Sequence, residues 1–257
     1  MLGVKRDFWK DRLRASAIHF GISIGVALLA ALLVLLVWYP YPYREVSGGR
    51  ELFLILISVD VVLGPLITLT IFDRRKPWRV LARDLAVVGL LQLAALGYGM
   101  WTSFIARPVH LVFEIDRFRV VHAIDVPSEL MDKAPAGLRS LPLFGPDLLA
   151  ARPFRSAEEN LEVTLAALQG VQIGARPDLW EPYADARAEV LKAAQPAIKL
   201  RQRFPDKTDL IDAEISRSGR APESLVTLPL VGRKTFWTVL LDSSTAEVVG
   251  FIPLDSF

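Results

Sequence analysis

The sequence predicts a membrane protein with three transmembrane α-helices, followed by a small exported α+β domain with an antiparallel sheet. Three observations predict it. Apolar runs at 18–37, 52–72 and 85–105 fill the first 105 residues, and each has about the ~20 residues that cross a ~30 Å hydrocarbon core at ~1.5 Å rise per residue. Basic residues sit at alternate ends of those runs. The remaining 150 or so residues are polar enough to form one domain of ordinary size.

The basic residues set the orientation. Lys5, Arg6, Lys10, Arg12 and Arg14 precede the first run, and Arg74, Arg75, Lys76, Arg79 and Arg83 separate the second from the third. Only Arg44 and Arg50 lie between the first and second. The positive-inside rule places the N-terminus and the 73–84 loop in the cytoplasm and sends everything after Ile105 to the far side. Trp38, Tyr39, Tyr41, Tyr43 and Trp101 read as an outer aromatic belt, Trp9 and Trp78 as an inner one. The first run is followed by Trp-Tyr-Pro-Tyr-Pro-Tyr rather than a small-x-small cleavage site, which makes it an uncleaved anchor. The domain boundary is expected at 106/107.

Charge divides along the same boundary. Residues 1–106 carry a net +5 and residues 107–257 a net −3. Nucleic-acid binding calls for a basic patch on the folded domain, so that class is excluded and the bilayer is the partner that composition implies. The chain has no cysteine, which removes disulfides and thiolate chemistry.

In the exported half, Val109–Ile115 and Phe118–Ile124 read as a β-hairpin around Asp116-Arg117. Residues 142–153, with Pro142, Gly145, Pro146 and Pro153, read as a loop. Ser156-Ala-Glu-Glu159 is a capping box that starts a helix to about Leu168. Further helices are expected over 182–194 and 207–216. The period then changes to that of strands at 225–230, 235–242 and 247–252, an antiparallel meander.

Chemical motifs are scarce. His110 and His122 fall on the two hairpin strands, where a turn at Asp116-Arg117 makes residues 111 and 122 face each other and the histidines only diagonal neighbours. That is too few ligands for a metal site. No phosphate loop, Gly-x-Ser-x-Gly elbow or His-Glu-x-x-His motif occurs, so no cofactor and no enzymatic activity is expected.

Asp60 is the residue that stands out. A carboxylate inside the second run costs about ~2.5–3.5 kcal/mol on insertion scales unless it is paired or neutral. Tyr98 lies at nearly the same depth on the third run, and Gln92 lies deeper. Asp60 either glues spans two and three together or docks a polar group on a partner's transmembrane helix. Gly64-Pro65, one turn on, frees a backbone carbonyl and can shape a lateral groove. Gly21-x-x-x-Gly25 and Ala95-x-x-x-Gly99 are small-residue faces suited to close helix packing.

Several spaced motifs resemble one family. Ser58-Val-Asp-Val-Val-Leu-Gly-Pro-Leu-Ile-Thr-Leu, Phe72-Asp-Arg-Arg-Lys-Pro77, Asp84-Leu, and Gln92-Leu-Ala-Ala-Leu-Gly-Tyr-Gly99 lie in the membrane half. Arg107-Pro-Val-His-Leu-Val-Phe-Glu-Ile-Asp-Arg-Phe118, Pro229-Leu-Val-Gly-Arg233 and Thr235-Phe-Trp-Thr-Val-Leu-Leu-Asp242 lie beyond it. Together they resemble the type IV pilin accessory proteins of the TfpX/TfpZ type, over nearly the whole chain. The resemblance implies a multi-pass protein of a Gram-negative inner membrane with a periplasmic C-terminal domain. It also implies help with the stability, assembly or surface display of a type IV pilin subunit; three spans and a periplasmic α+β domain suit holding the pilin's helix and head, a chaperone-like role. It carries no catalytic residues. Asp60, Gly64, Pro65, Gln92 and Tyr98 are then the candidate partner-binding residues. A small transporter or ion-coupled component using Asp60 is the alternative, weakened by the lack of inverted repeats.

Overall fold

The structure is a computed structural model that describes residues 2–257, with side chains from residue 9 onward except at 52, 55, 56 and 59. The chain forms two compact units, Met1–Val37 with Gly49–Ile105, and Trp38–Gly48 with Ala106–Phe257.

The first unit is helical. Helix α1 (Leu2–Leu32) runs on through a π-helical stretch, Leu33–Trp38. After a short turn of helix, α2 (Tyr43–Val46), which belongs to the second unit, the middle run forms α3 (Gly49–Ser58), a π-helical stretch (Val59–Leu63) and α4 (Gly64–Ile71). Helix α5 spans Trp78–Ile105. Among the described residues two helices, Trp9–Trp38 and Trp78–Ile105, are long and apolar enough to cross a membrane. The sequence expectation was three. The middle run is helical over its length, from α3 through the π stretch to α4, and Asp60–Ile71 within it is a shorter apolar helix; part of the cause of the π stretch is Pro65. Its nitrogen carries no hydrogen, so a carbonyl one turn back loses its donor and the ladder changes pitch there. Lys76 Nζ donates to the Ile71 carbonyl at 3.1 Å, satisfying the C-terminal turn of α4, and to Asp84 Oδ2 at 2.7 Å. Helices α1 and α5 each pack on the middle run in preference to each other.

The second unit is an eight-stranded sheet in the order β4-β3-β1-β2-β6-β7-β8, with β5 beside β6. The strands are β1 (Pro108–Glu114), β2 (Arg117–His122), β3 (Asp147–Ala151), β4 (Trp180–Pro182), β5 (Gln195–Pro196), β6 (Leu225–Val231), β7 (Phe236–Asp242) and β8 (Val248–Ile252). The sheet is mixed, which corrects the antiparallel expectation. The hairpin and the meander are antiparallel, but β1 pairs with β3 and β2 pairs with β6 in parallel. The long connections between these strands permit parallel pairing, which a tight turn forbids. Strand β3 lies in the stretch expected to be loop; Asp147-Leu-Leu-Ala-Ala151 pairs between the prolines that flank it.

The first hairpin turns one residue earlier than expected. Ile115 and Asp116 form the turn, with Ile115 at φ 59°, so Leu111 faces Val120 and not His122. The expected helices appear as α6 (Ala157–Leu168), α7 (Arg187–Ala193) and α9 (Thr208–Ser218), and α8 (Ile198–Arg203) is additional. Ser156 Oγ accepts from the Glu159 amide at 3.2 Å, the first half of the capping box. The Glu159 carboxylate is turned to Arg152 and to the Arg155 amide rather than back to residue 156.

Leu111, Phe113, Phe118, Val120, Leu230 and Leu241 face one core, which Tyr183, Ala186 and Val190 cover. Leu200, Ile211 and Ile215 cover Leu225, Leu240 and Ile252 in another. Val46, from the connection between the first two apolar runs, is fully buried in the first core. Its carbonyl accepts from the Lys234 amide at 3.0 Å. A β-carbon on Gly232 would lie 1.9 Å from Val46 Cγ1, so only glycine admits this approach. Tyr39 is buried as well, and Tyr43 packs on the same core. These two tyrosines, expected in the aromatic belt, are instead part of the domain.

Candidate functional site

Four of the five candidate residues meet at the π stretch of the middle helix. A π turn advances each backbone donor by one residue, so the Asp60 carbonyl looks to the nitrogen of residue 65, which is proline. Gln92 fills the gap from α5, its Nε2 donating to the Asp60 carbonyl at 3.1 Å. Gly64 makes room for it: a β-carbon there would stand 2.0 Å from Gln92 Nε2. Asp60, Gly64, Pro65 and Gln92 therefore form one device, in which a helix irregularity is satisfied by a side chain from the neighbouring helix. Tyr98 is not part of it. It is 71% exposed and lies outside the cleft that Asp60 lines.

The device joins the helices through a carbonyl and leaves the carboxylate unused. Asp60 Oδ2 is buried and has no hydrogen-bond partner among the described residues. It lines a cleft of about 190 Å³ with Gln92, His19 and Ser23, walled by Ile22, Val26, Leu93 and Leu96. A second cleft of about 620 Å³ shares His19, Ile22 and Gly89 with it and leads to Asp11, Arg14 and Arg74. The two make one groove between α1 and α5. The groove is open at Gly89, where nothing lies within 4 Å of an added β-carbon.

Helix α1 contributes residues that the sequence reasoning passed over. Ser16 Oγ donates to the Pro65 carbonyl at 2.9 Å, and His19 Nδ1 lies 2.6 Å from Thr68 Oγ1. Ser16, His19 and Ser23 follow a 3–4 spacing, one polar stripe on the apolar stretch of α1 that follows its charged first turns. That stripe was the available signal.

Both histidines of the second unit are buried, and neither ring nitrogen of His110 nor Nε2 of His122 has a hydrogen-bond partner among the described residues. His110 is buried edge-on to Trp180, with ring centroids 4.6 Å apart, and burial pushes its pKa down to about 4. His122 is buried too, and burial lowers its pKa, opposed by Asp125, whose Oδ2 lies 3.2 Å from Nδ1. Among the described residues no group of three His, Cys, Asp or Glu side chains gathers to hold a metal.

Comparison with known proteins places this architecture. A family model described as fimbrial assembly protein FimB matches residues 7–48, which run from within α1 to the end of the segment carrying Val46. The fimbrial assembly protein of Dichelobacter nodosus serogroup I is 35% identical over 254 residues, 95% of each chain. The serogroup E1 protein matches at the same identity and coverage. The protein of serogroups C1 and C2 is 38% identical over 122 residues, 48% of this chain and 91% of its own. No solved structure matches. With similarity of this extent along nearly its whole length, the chain belongs to the fimbrial assembly proteins, a type IV pilus assembly family.

Proposed function

We propose that this chain is a non-catalytic, chaperone-like factor of a bacterial inner membrane that holds a type IV pilin subunit on its way to assembly. The full-length similarity to fimbrial assembly proteins carries the process. The open groove beside Asp60 supports the mode of action.

Three crossings fit this reading better than two. Val46 and the domain core belong to one folded unit, so residues 38–48 and 106–257 lie on the same side of any membrane. If Trp9–Trp38 and Trp78–Ile105 both cross, the chain must return between them, and the middle helix is the segment available. The basic clusters then support a cytoplasmic N-terminus and a periplasmic 107–257.

A pilin's membrane helix would lie in the groove between α1 and α5, over Asp60. A buried carboxylate oxygen without a partner is held ready for a donor or cation on that helix, and such an interaction gains strength in an apolar surrounding. The role of glue between spans falls to the Gln92 bond instead. Asp60→Asn and Asp60→Leu test the assignment by protein abundance and by sheared surface pili. Both should leave abundance near normal while surface pili fall. Normal pili in both variants contradict a docking role for Asp60.

A further inference from the structure

The proline-rich loop before β3 ends in two apolar residues that cover nothing. Phe144 is 77% exposed and Leu143 is 55% exposed. Both ends of the loop are tied to the places where the chain leaves its long helices. Arg107, two residues past the end of α5, is buried and donates from Nε and Nη2 to the Pro142 carbonyl at 3.3 and 3.1 Å. Gly145 packs on Pro40, two residues past the end of the first apolar helix; a β-carbon on it would lie 3.7 Å from Pro40 Cγ. Gly145 also turns the chain with φ +56°, which brings Leu143 and Phe144 to the tip.

Connectivity limits how far this tip is from the bilayer. Two residues of chain span at most about 7 Å, which keeps Pro40 and Arg107 at the depth of the polar layer, about 5–7 Å outside the hydrocarbon. Leu143 and Phe144 are each one residue from Pro142 and Gly145, which Arg107 and Pro40 hold. We propose that Leu143 and Phe144 seat the exported domain in the interfacial region of the leaflet on its own side. The occupant of this apolar tip is lipid. An aromatic beside an aliphatic at that depth is the composition that interfacial anchoring uses. The inference rests on the spanning reading given above.

The absence of cysteine makes the test direct. The full chain is reconstituted in phosphatidylethanolamine–phosphatidylglycerol vesicles with a nitroxide on a single introduced cysteine at Phe144, Leu28 or Ser243. Leu28, exposed on the first apolar helix, reports on the spanning reading itself, and Ser243 lies in an exposed turn of the domain. Oxygen should relax the label at Leu28→Cys and Phe144→Cys faster than a water-soluble nickel chelate does, with the order reversed at Ser243→Cys. A label at 144 that behaves as at 243, while 28 remains oxygen-rich, overturns the proposal. A label at 28 that is also open to nickel overturns the spanning reading, and the proposal with it.

Discussion

Removing the segment that carries Val46 should unfold or strongly weaken the second unit. Val46 is completely buried, Tyr39 is nearly so, and Tyr43 packs against the same core. Burying one large apolar side chain contributes about 1.5–3 kcal/mol. A fragment 107–257 lacks all three and loses roughly 5 kcal/mol or more on that scale, against a total stability of about 5–15 kcal/mol. It also leaves the Lys234 amide without the Val46 carbonyl. The single change Val46→Ala removes two methyl groups and leaves a small cavity, a loss of about 1.5–3 kcal/mol. At roughly 2–4 °C per kcal/mol for a domain of this size, that is a fall of about 3–12 °C in Tm. The assay is thermal unfolding by near-ultraviolet circular dichroism. Fragment 106–257 alone is compared with the same fragment joined through a Gly/Ser linker to residues 38–48, with and without Val46→Ala. The linked form should melt well above the bare one, and Val46→Ala should remove a measurable part of the gain. Equal midpoints for bare and linked fragments would refute the reasoning.

Three further outcomes are expected. Gly64→Ala pushes the Gln92 amide off the Asp60 carbonyl, so Gly64→Ala and Gln92→Leu should each lower the chain's stability in detergent by about 0.6–2 kcal/mol, the double variant adding little to either; full additivity would separate the two residues. His110 keeps a pKa of about 4 when folded, so below the ordinary histidine value of about 6.5 the unfolded chain binds a proton that the folded chain refuses. Stability of the second unit should therefore fall by about 3 kcal/mol between pH 6.5 and pH 4, and His110→Leu should flatten that slope by close to one proton; an unchanged slope would show that His110 does not titrate this way. A cysteine at Ser243 should react with an impermeant reagent in spheroplasts while one at Lys76 should not, and the reverse pattern would invert the orientation.

The elements were largely legible from local signals, and the misses are non-local. The Ser156 cap, Gly219 at the end of α9 and the β-rich composition of β6 and β7 are written into neighbouring residues. Nothing next to Asp147–Ala151 announces a strand, because its pairing with β1 lies almost forty residues away in sequence. The burial of Tyr39 and Val46 was hidden for the same reason: a Tyr-Pro-Tyr stretch after an apolar helix looks like an interface belt until a distant hairpin with Gly232 grips it. At the site, Asp60 and Gly64-Pro65 were visible as breaches of the apolar pattern. Their link to Gln92 depends on the π turn, which moves the orphaned carbonyl to Asp60 itself, and Tyr98 drops out because matching depth says nothing about the face of a helix.

Photocrosslinking in living cells tests the central claim most directly. Ile22 and Leu93 line the groove, whereas Ile24 and Leu91 lie two residues along their helices, about 200° around the axis, and outside it. A photoreactive residue at 22 or 93 should capture the pilin subunit, and one at 24 or 91 should not. Capture that is equal on both faces, or none from the groove positions while the chain is present at normal levels, would contradict the account.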